Sequence, residues 1–92
     1  MILLTGHIDV PPDRRAAVIA ALLDHIRLTR AEPGCLSFDV TPDTEVDGRL
    51  NVRETFATRA DFDAHQNRTR ASDWGRITAG IPRVYEITEL PG

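Results

Sequence analysis

The sequence predicts an α+β fold, with the element order βαββαβ giving an antiparallel sheet that carries both helical regions on one face. Three observations predict it. Four segments alternate apolar and polar side chains at the two-residue period of a strand. Two intervening regions repeat apolar residues at three- and four-residue spacing, and Pro or Gly punctuates most of the junctions.

Residues 2–10 read as the first strand, with Ile2, Leu4, Ile8 and Val10 on one side together with Gly6, and Leu3, Thr5, His7 and Asp9 on the other. Pro11-Pro12-Asp13 stops it, and Asp13 is the expected N-cap of a helix over 13–31. In that helix Val18, Ile19, Leu22, Leu23 and Ile26 form the apolar stripe. Glu32-Pro33-Gly34 ends it. The second strand, 35–41, sets Leu36, Phe38 and Val40 against Cys35, Ser37 and Asp39, and a polar connector with the turn pair Asp47-Gly48 leads to the third strand, 50–57. Thr58 and Asp61 resemble a capping box that opens a short helix through about residue 66, with Phe62 and His65 on one face. Residues 67–69 are expected to interrupt it. A second short helix, 70–79, carries Trp74 and Ile77 and ends at Gly80, and the last strand, 83–89, alternates Tyr85 and Ile87 with Val84, Glu86 and Thr88.

Residues 1–92 make one domain, because so short a chain cannot fill two cores. A single cysteine, Cys35, forms no intrachain disulfide, and three scattered histidines show no metal-ligand spacing. All eleven basic residues are arginine, so side-chain amine chemistry is excluded by composition. A net charge of -3 argues against a nucleic-acid partner. No run approaches the length of a membrane span, and the start lacks the features of a signal peptide, so a cytoplasmic location is the expectation. The sheet face away from the helices displays Leu3, Thr5, His7, Asp9, Ser37, Asp39, Asn51, Arg53 and Thr55. That mixed face suits either solvent or a second subunit.

Candidate chemistry is sparse. Glu54 stands between Val52 and Phe56 on the helix-facing side of the third strand, and the following helix returns His65 over the same face. The pair reads either as a general base with an orienting carboxylate or as a structural hydrogen bond. Trp74, Phe38, Val52 and Phe56 read as core by default. His25, among charged neighbours, is expected at the surface, His7 at a subunit contact, and Cys35 as an inert thiol.

Glu32-Pro33-Gly34-Cys35-Leu36, the strand ending Glu54-Thr55-Phe56 and the helix segment Asp63-Ala64-His65 together resemble the antibiotic biosynthesis monooxygenase family over nearly the whole chain. The resemblance implies a ferredoxin-like domain forming a dimeric α+β barrel through the open sheet face, with a pocket between sheet and helices. It implies oxidation of a small quinol, phenol or polyketide-derived aromatic by molecular oxygen, with no cofactor and no metal. His65 and Glu54 would then be catalytic, Phe38, Val52, Phe56 and Trp74 would wall the pocket, and Gly6 would leave space on its floor. One departure stands out: where members continue with a turn bearing a second histidine, this chain has Arg70-Ala71-Ser72 after Thr69. The haem-degrading branch is a poor match, since Gly6, His65 and Gly75 fall where it uses asparagine, tryptophan and histidine. A non-catalytic ligand-binding module and an oxygen-independent isomerase or cyclase remain the alternatives on this scaffold.

Overall fold

The computed structural model describes residues 1–91. Its elements are β1 (Ile2–Asp9), α1 (Arg15–Arg30), β2 (Cys35–Pro42), β3 (Arg49–Phe56), α2 (Arg59–Ala71), α3 (Asp73–Ile77) and β4 (Arg83–Glu89). The strands form one antiparallel sheet in the order β2-β3-β1-β4, which with the helices on one face is the ferredoxin-like arrangement. Register places Glu54 of β3 opposite Leu4 on one side and Phe38 on the other, near the middle of the sheet. The chain ends meet at the β1–β4 edge, where Leu90 N–H donates to the Met1 carbonyl at 2.8 Å.

The core has two parts. Ile8, Val10, Val18, Leu50, Trp74 and Ile81 pack at one end, and Ile2, Leu4, Val52, Phe56 and Phe62 at the other. A run of rings joins them: Trp74 to His25 at 4.7 Å between centroids, His25 to His65 at 6.2 Å, His65 to Phe56 at 4.8 Å and Phe56 to Phe62 at 5.9 Å.

Four local expectations are corrected. Asp13 caps nothing: Pro11 and Pro12 set a 3-10 turn over Pro12–Arg14, and α1 starts after it with no side-chain cap. The buried stripe of α1 runs through Val18, His25 and Thr29, while Leu23 is 76% and Ile19 52% exposed. His25 is therefore not a surface residue but only 5% exposed, because a trough lined by Trp74 and Phe38 accepts its flat ring. In β2 a bulge between Cys35 and Ser37 reverses the alternation, turning Cys35 onto the Phe56 cluster and leaving Leu36 58% exposed.

The fourth correction moves the break in the second helical region. α2 continues through Asn67–Thr69 to Ala71, since tertiary bonds from His65 and Arg68 on one helical face outweigh the weak propensities there. Ser72 makes the corner instead, its hydroxyl donating to the Thr69 carbonyl at 2.7 Å and accepting the Gly75 N–H at 3.2 Å. Thr58 caps α2 as expected, accepting the Asp61 N–H at 3.1 Å. No helix among the described residues is long and apolar enough to cross a membrane.

Candidate active site

His65 projects from α2 onto the helix-facing side of the sheet and is 3% exposed. Its Nδ1 lies 2.8 Å from Oε2 of Glu32, and its Nε2 lies 3.7 Å from Oε1 of Glu54 and 3.5 Å from Oγ1 of Thr69. Nε2 is too far from Glu54 for a hydrogen bond. The carboxylate that orients the imidazole is therefore Glu32, and not Glu54 as the strand pattern suggests.

Glu32 is delivered by the turn after α1. Gly34 takes a left-handed conformation, φ +80°, and a Cβ there would run into the Asp61 carboxylate at the start of α2. The close approach is secured by the Gly34 carbonyl, which accepts the Ala57 N–H at 2.8 Å. Arg68, one turn beyond His65, donates through Nε to Oε1 of Glu32 and through Nη2 to Thr29 Oγ1 at 3.0 Å. With one oxygen taken by Arg68, the other accepts the N–H of His65 Nδ1. That fixes the neutral imidazole with its lone pair on Nε2, facing Glu54 and Thr69. The sequence carries only a weak signal for Glu32: an acid just past the C-terminus of α1 sits unfavourably with the helix dipole, which does not by itself name a partner.

Burial sets the protonation of the neighbours. Glu54, 4% exposed between Leu4 and Phe38, has its pKa pushed up to about 7 by desolvation first and by the Glu32 charge second. His65 is held below its usual value, mainly because burial disfavours its cation, although Glu32 pulls the other way. Cys35 is pushed up by desolvation and by both carboxylates, which leaves it a thiol rather than a nucleophile at neutral pH.

Phe38, Val52, Glu54, His65 and Trp74 border one small cavity of about 50 Å³. His25, Arg83 and Tyr85 border it too, and none of the three was expected there. Phe56 supports the site from behind, its ring stacked on His65 at an interplanar angle of 30°. Gly6 does not open a floor to this cavity. A Cβ at Gly6 would meet the Val84 carbonyl and lie 2.8 Å from Cδ1 of Tyr85, so the missing side chain makes room for Tyr85. His7 lies on the opposite sheet face with Nε2 3.8 Å from Oδ2 of Asp9. Among the described residues no three His, Cys, Asp or Glu side chains converge to hold a metal ion.

The fold recurs in solved proteins. A protein from Nitrosomonas europaea, named a candidate antibiotic biosynthesis monooxygenase, superposes with a TM-score of 0.84 at 24% identity, over 97% of both chains. Rv0793 from Mycobacterium tuberculosis gives 0.76 at 26% identity, over 99% of this chain and 95% of its own. An uncharacterized Synechocystis protein, sll1783, is 34% identical over 64 residues, covering 70% of this chain and 44% of the relative, so the chain spans less than half of that protein's length. Residues 1–76, which hold every side chain of the site except Arg83 and Tyr85, match antibiotic biosynthesis monooxygenase as a family, and the chain belongs to it.

Proposed function

We propose that this protein is a cofactor-independent monooxygenase that oxidises a small phenolic or quinol-type aromatic with molecular oxygen. The observation that carries the reading is His65, a buried imidazole that borders a small cavity, its Nδ1 fixed by Glu32 and its Nε2 turned toward Glu54 and Thr69. Such a nitrogen is a general base aimed at a substrate hydroxyl.

The steps balance without an added reductant. His65 Nε2 takes the hydroxyl proton, and the resulting anion gives one electron to dioxygen. The two radicals join through a new C–O bond at a hydrogen-bearing ring carbon ortho or para to the hydroxyl, and the peroxide recovers the proton from His65. Loss of the hydrogen on that carbon, with cleavage of the O–O bond, yields the quinone and one water. Glu54, whose proton is held up to about pH 7, supplies a donor to the developing peroxide from within the same cavity. Phe38, Val52 and Trp74 exclude water from the anion.

The homodimer implied by the resemblance belongs to the same proposal, with the sheet face bearing Leu3, His7, Asp39 and Arg53 as its interface. The smallness of the cavity favours one competing reading, a module that binds a ligand without turnover, since about 50 Å³ holds dioxygen but not a ring. Oxygen uptake with 1-naphthol as probe, and mass analysis of the product formed under labelled oxygen, separates the readings. The expected result is one labelled atom in 1,4-naphthoquinone and loss of uptake in His65→Ala. Full uptake by His65→Ala overturns the general-base role, product formed without oxygen supports the isomerase or cyclase class, and binding without uptake supports the module.

A further inference from the structure

The inner cavity has a larger neighbour. Between α1 and α3 runs a groove of about 440 Å³, walled by Ala17, Ala20 and Ala21 on one side and by Trp74 and Ile77 on the other. His25 and Trp74 line both the groove and the inner cavity. Their rings lie parallel, 4.7 Å apart at 3°, so this stack is the partition between the two spaces. The partition is chemically incomplete: Nδ1 of His25 is buried and has no hydrogen-bond partner among the described residues. A buried nitrogen left this way is a standing cost to the closed arrangement.

We propose that the groove between α1 and α3 binds a planar phenolic molecule and that the His25–Trp74 stack is the door through which its ring reaches the inner cavity. The substrate class rests on the phenol-oxidising reading, whereas the place of binding rests on the groove and the unpartnered nitrogen. Three features fit a phenol. The three alanines keep the α1 wall of the groove low, and a flat ring can take the place of one partner in the stack. A hydroxyl both donates and accepts, so it satisfies Nδ1 in either neutral tautomer. Burial, reinforced by any positive charge on the neighbouring His65 and by that of Arg68, drives the His25 pKa down to about 3, so the ring offers a neutral partner rather than a cation. Displacing the indole joins 50 Å³ to 440 Å³ and gives a ring the room that the inner cavity lacks.

Trp74 is the only tryptophan in the chain, so its fluorescence reports on the door itself. Under argon, 4-nitrophenol is titrated against the whole protein and followed by fluorescence and calorimetry, with nitrobenzene as the ring that lacks a hydroxyl. Saturable quenching is expected, with nitrobenzene about tenfold weaker for the loss of one hydrogen bond. His25→Phe, which keeps a flat ring against Trp74, is expected to erase that preference. Ala20→Phe, on the exposed flank of α1, is expected to fill the groove and abolish binding without disturbing the fold, as circular dichroism will show. Non-saturable quenching, an unchanged affinity in Ala20→Phe, or a preference that survives in His25→Phe overturns the proposal. Binding as described with no oxygen uptake defeats the oxygenase reading alone. Uptake of oxygen indifferent to both variants defeats the door alone.

Discussion

His65 sits between two carboxylates that have unlike tasks. Glu32, tied to Arg68, accepts from Nδ1 and keeps the basic lone pair on Nε2, while Glu54 lies across the cavity and holds its proton up to about pH 7. Replacing Glu32 by Gln removes the charge that raises the imidazole's proton affinity. We expect at least tenfold lower oxygen uptake and a shift of the His65 titration to lower pH, read by proton NMR. Glu54 makes a separate prediction about stability. An acid whose folded pKa is raised holds a proton that the unfolded chain has already released, so it costs the fold stability as pH rises from 4.5 to about 7. Glu54→Gln should leave urea stability near the wild-type value at pH 4.5 and exceed it at pH 8 by about 3 kcal/mol. His65 and Glu54 were legible in the sequence because strand and helix periods place both on one face. Glu32 was not, since Glu-Pro-Gly reads as a helix stop and only the packing of α2 against that turn gives it a partner. His25 was hidden for a related reason: hydropathy draws the α1 stripe through Leu23, and cannot register an imidazole that is buried by stacking.

The elements hold the site through a few end contacts. Arg14, in the 3-10 turn before α1, donates to the carbonyls of Ala79 and Ile77, and Arg83 donates to that of Thr78 at 2.8 Å. Two guanidinium groups thus meet carbonyls at the C-terminal end of α3, the end where positive charge is favoured. At its other end Ser72 both closes α2 and caps α3. Ser72→Ala should lower stability by about 1 kcal/mol in urea unfolding. It should also broaden the Trp74 emission, because the corner that aims the indole at His25 loses its bonds. Strands and helices were legible to within a few residues. The α2–α3 boundary and the β2 bulge were not, because each is decided by a contact with a distant element and not by local propensity.

At the scale of the whole molecule the sheet covers its site from one side only. Its other face carries Arg49 hydrogen-bonded to Asp9 at 2.8 Å and Ser37 Oγ 2.7 Å from Thr55 Oγ1, among half-buried Leu3, Thr5 and His7. If that face joins two copies, light scattering at micromolar concentration will give twice the chain mass. Leu3→Glu should then reduce it to one, while a monomeric wild-type mass would refute the pairing. The topology itself was readable from element order. The unequal protection of the strands was not, since it follows from which strand lies at the edge: every residue of β4 is exposed, and only β1 pairs with it. An outer strand held on one side alone is the first to exchange its amide hydrogens, through local openings far cheaper than global unfolding. In hydrogen-exchange measurements β4 should lose protection well before β1 and β3. The strand that carries Glu54 and the helix that carries His65 would stay closed through those openings, so the margin that brings Arg83 and Tyr85 to the cavity can breathe while the His65–Glu54 pair stays in place.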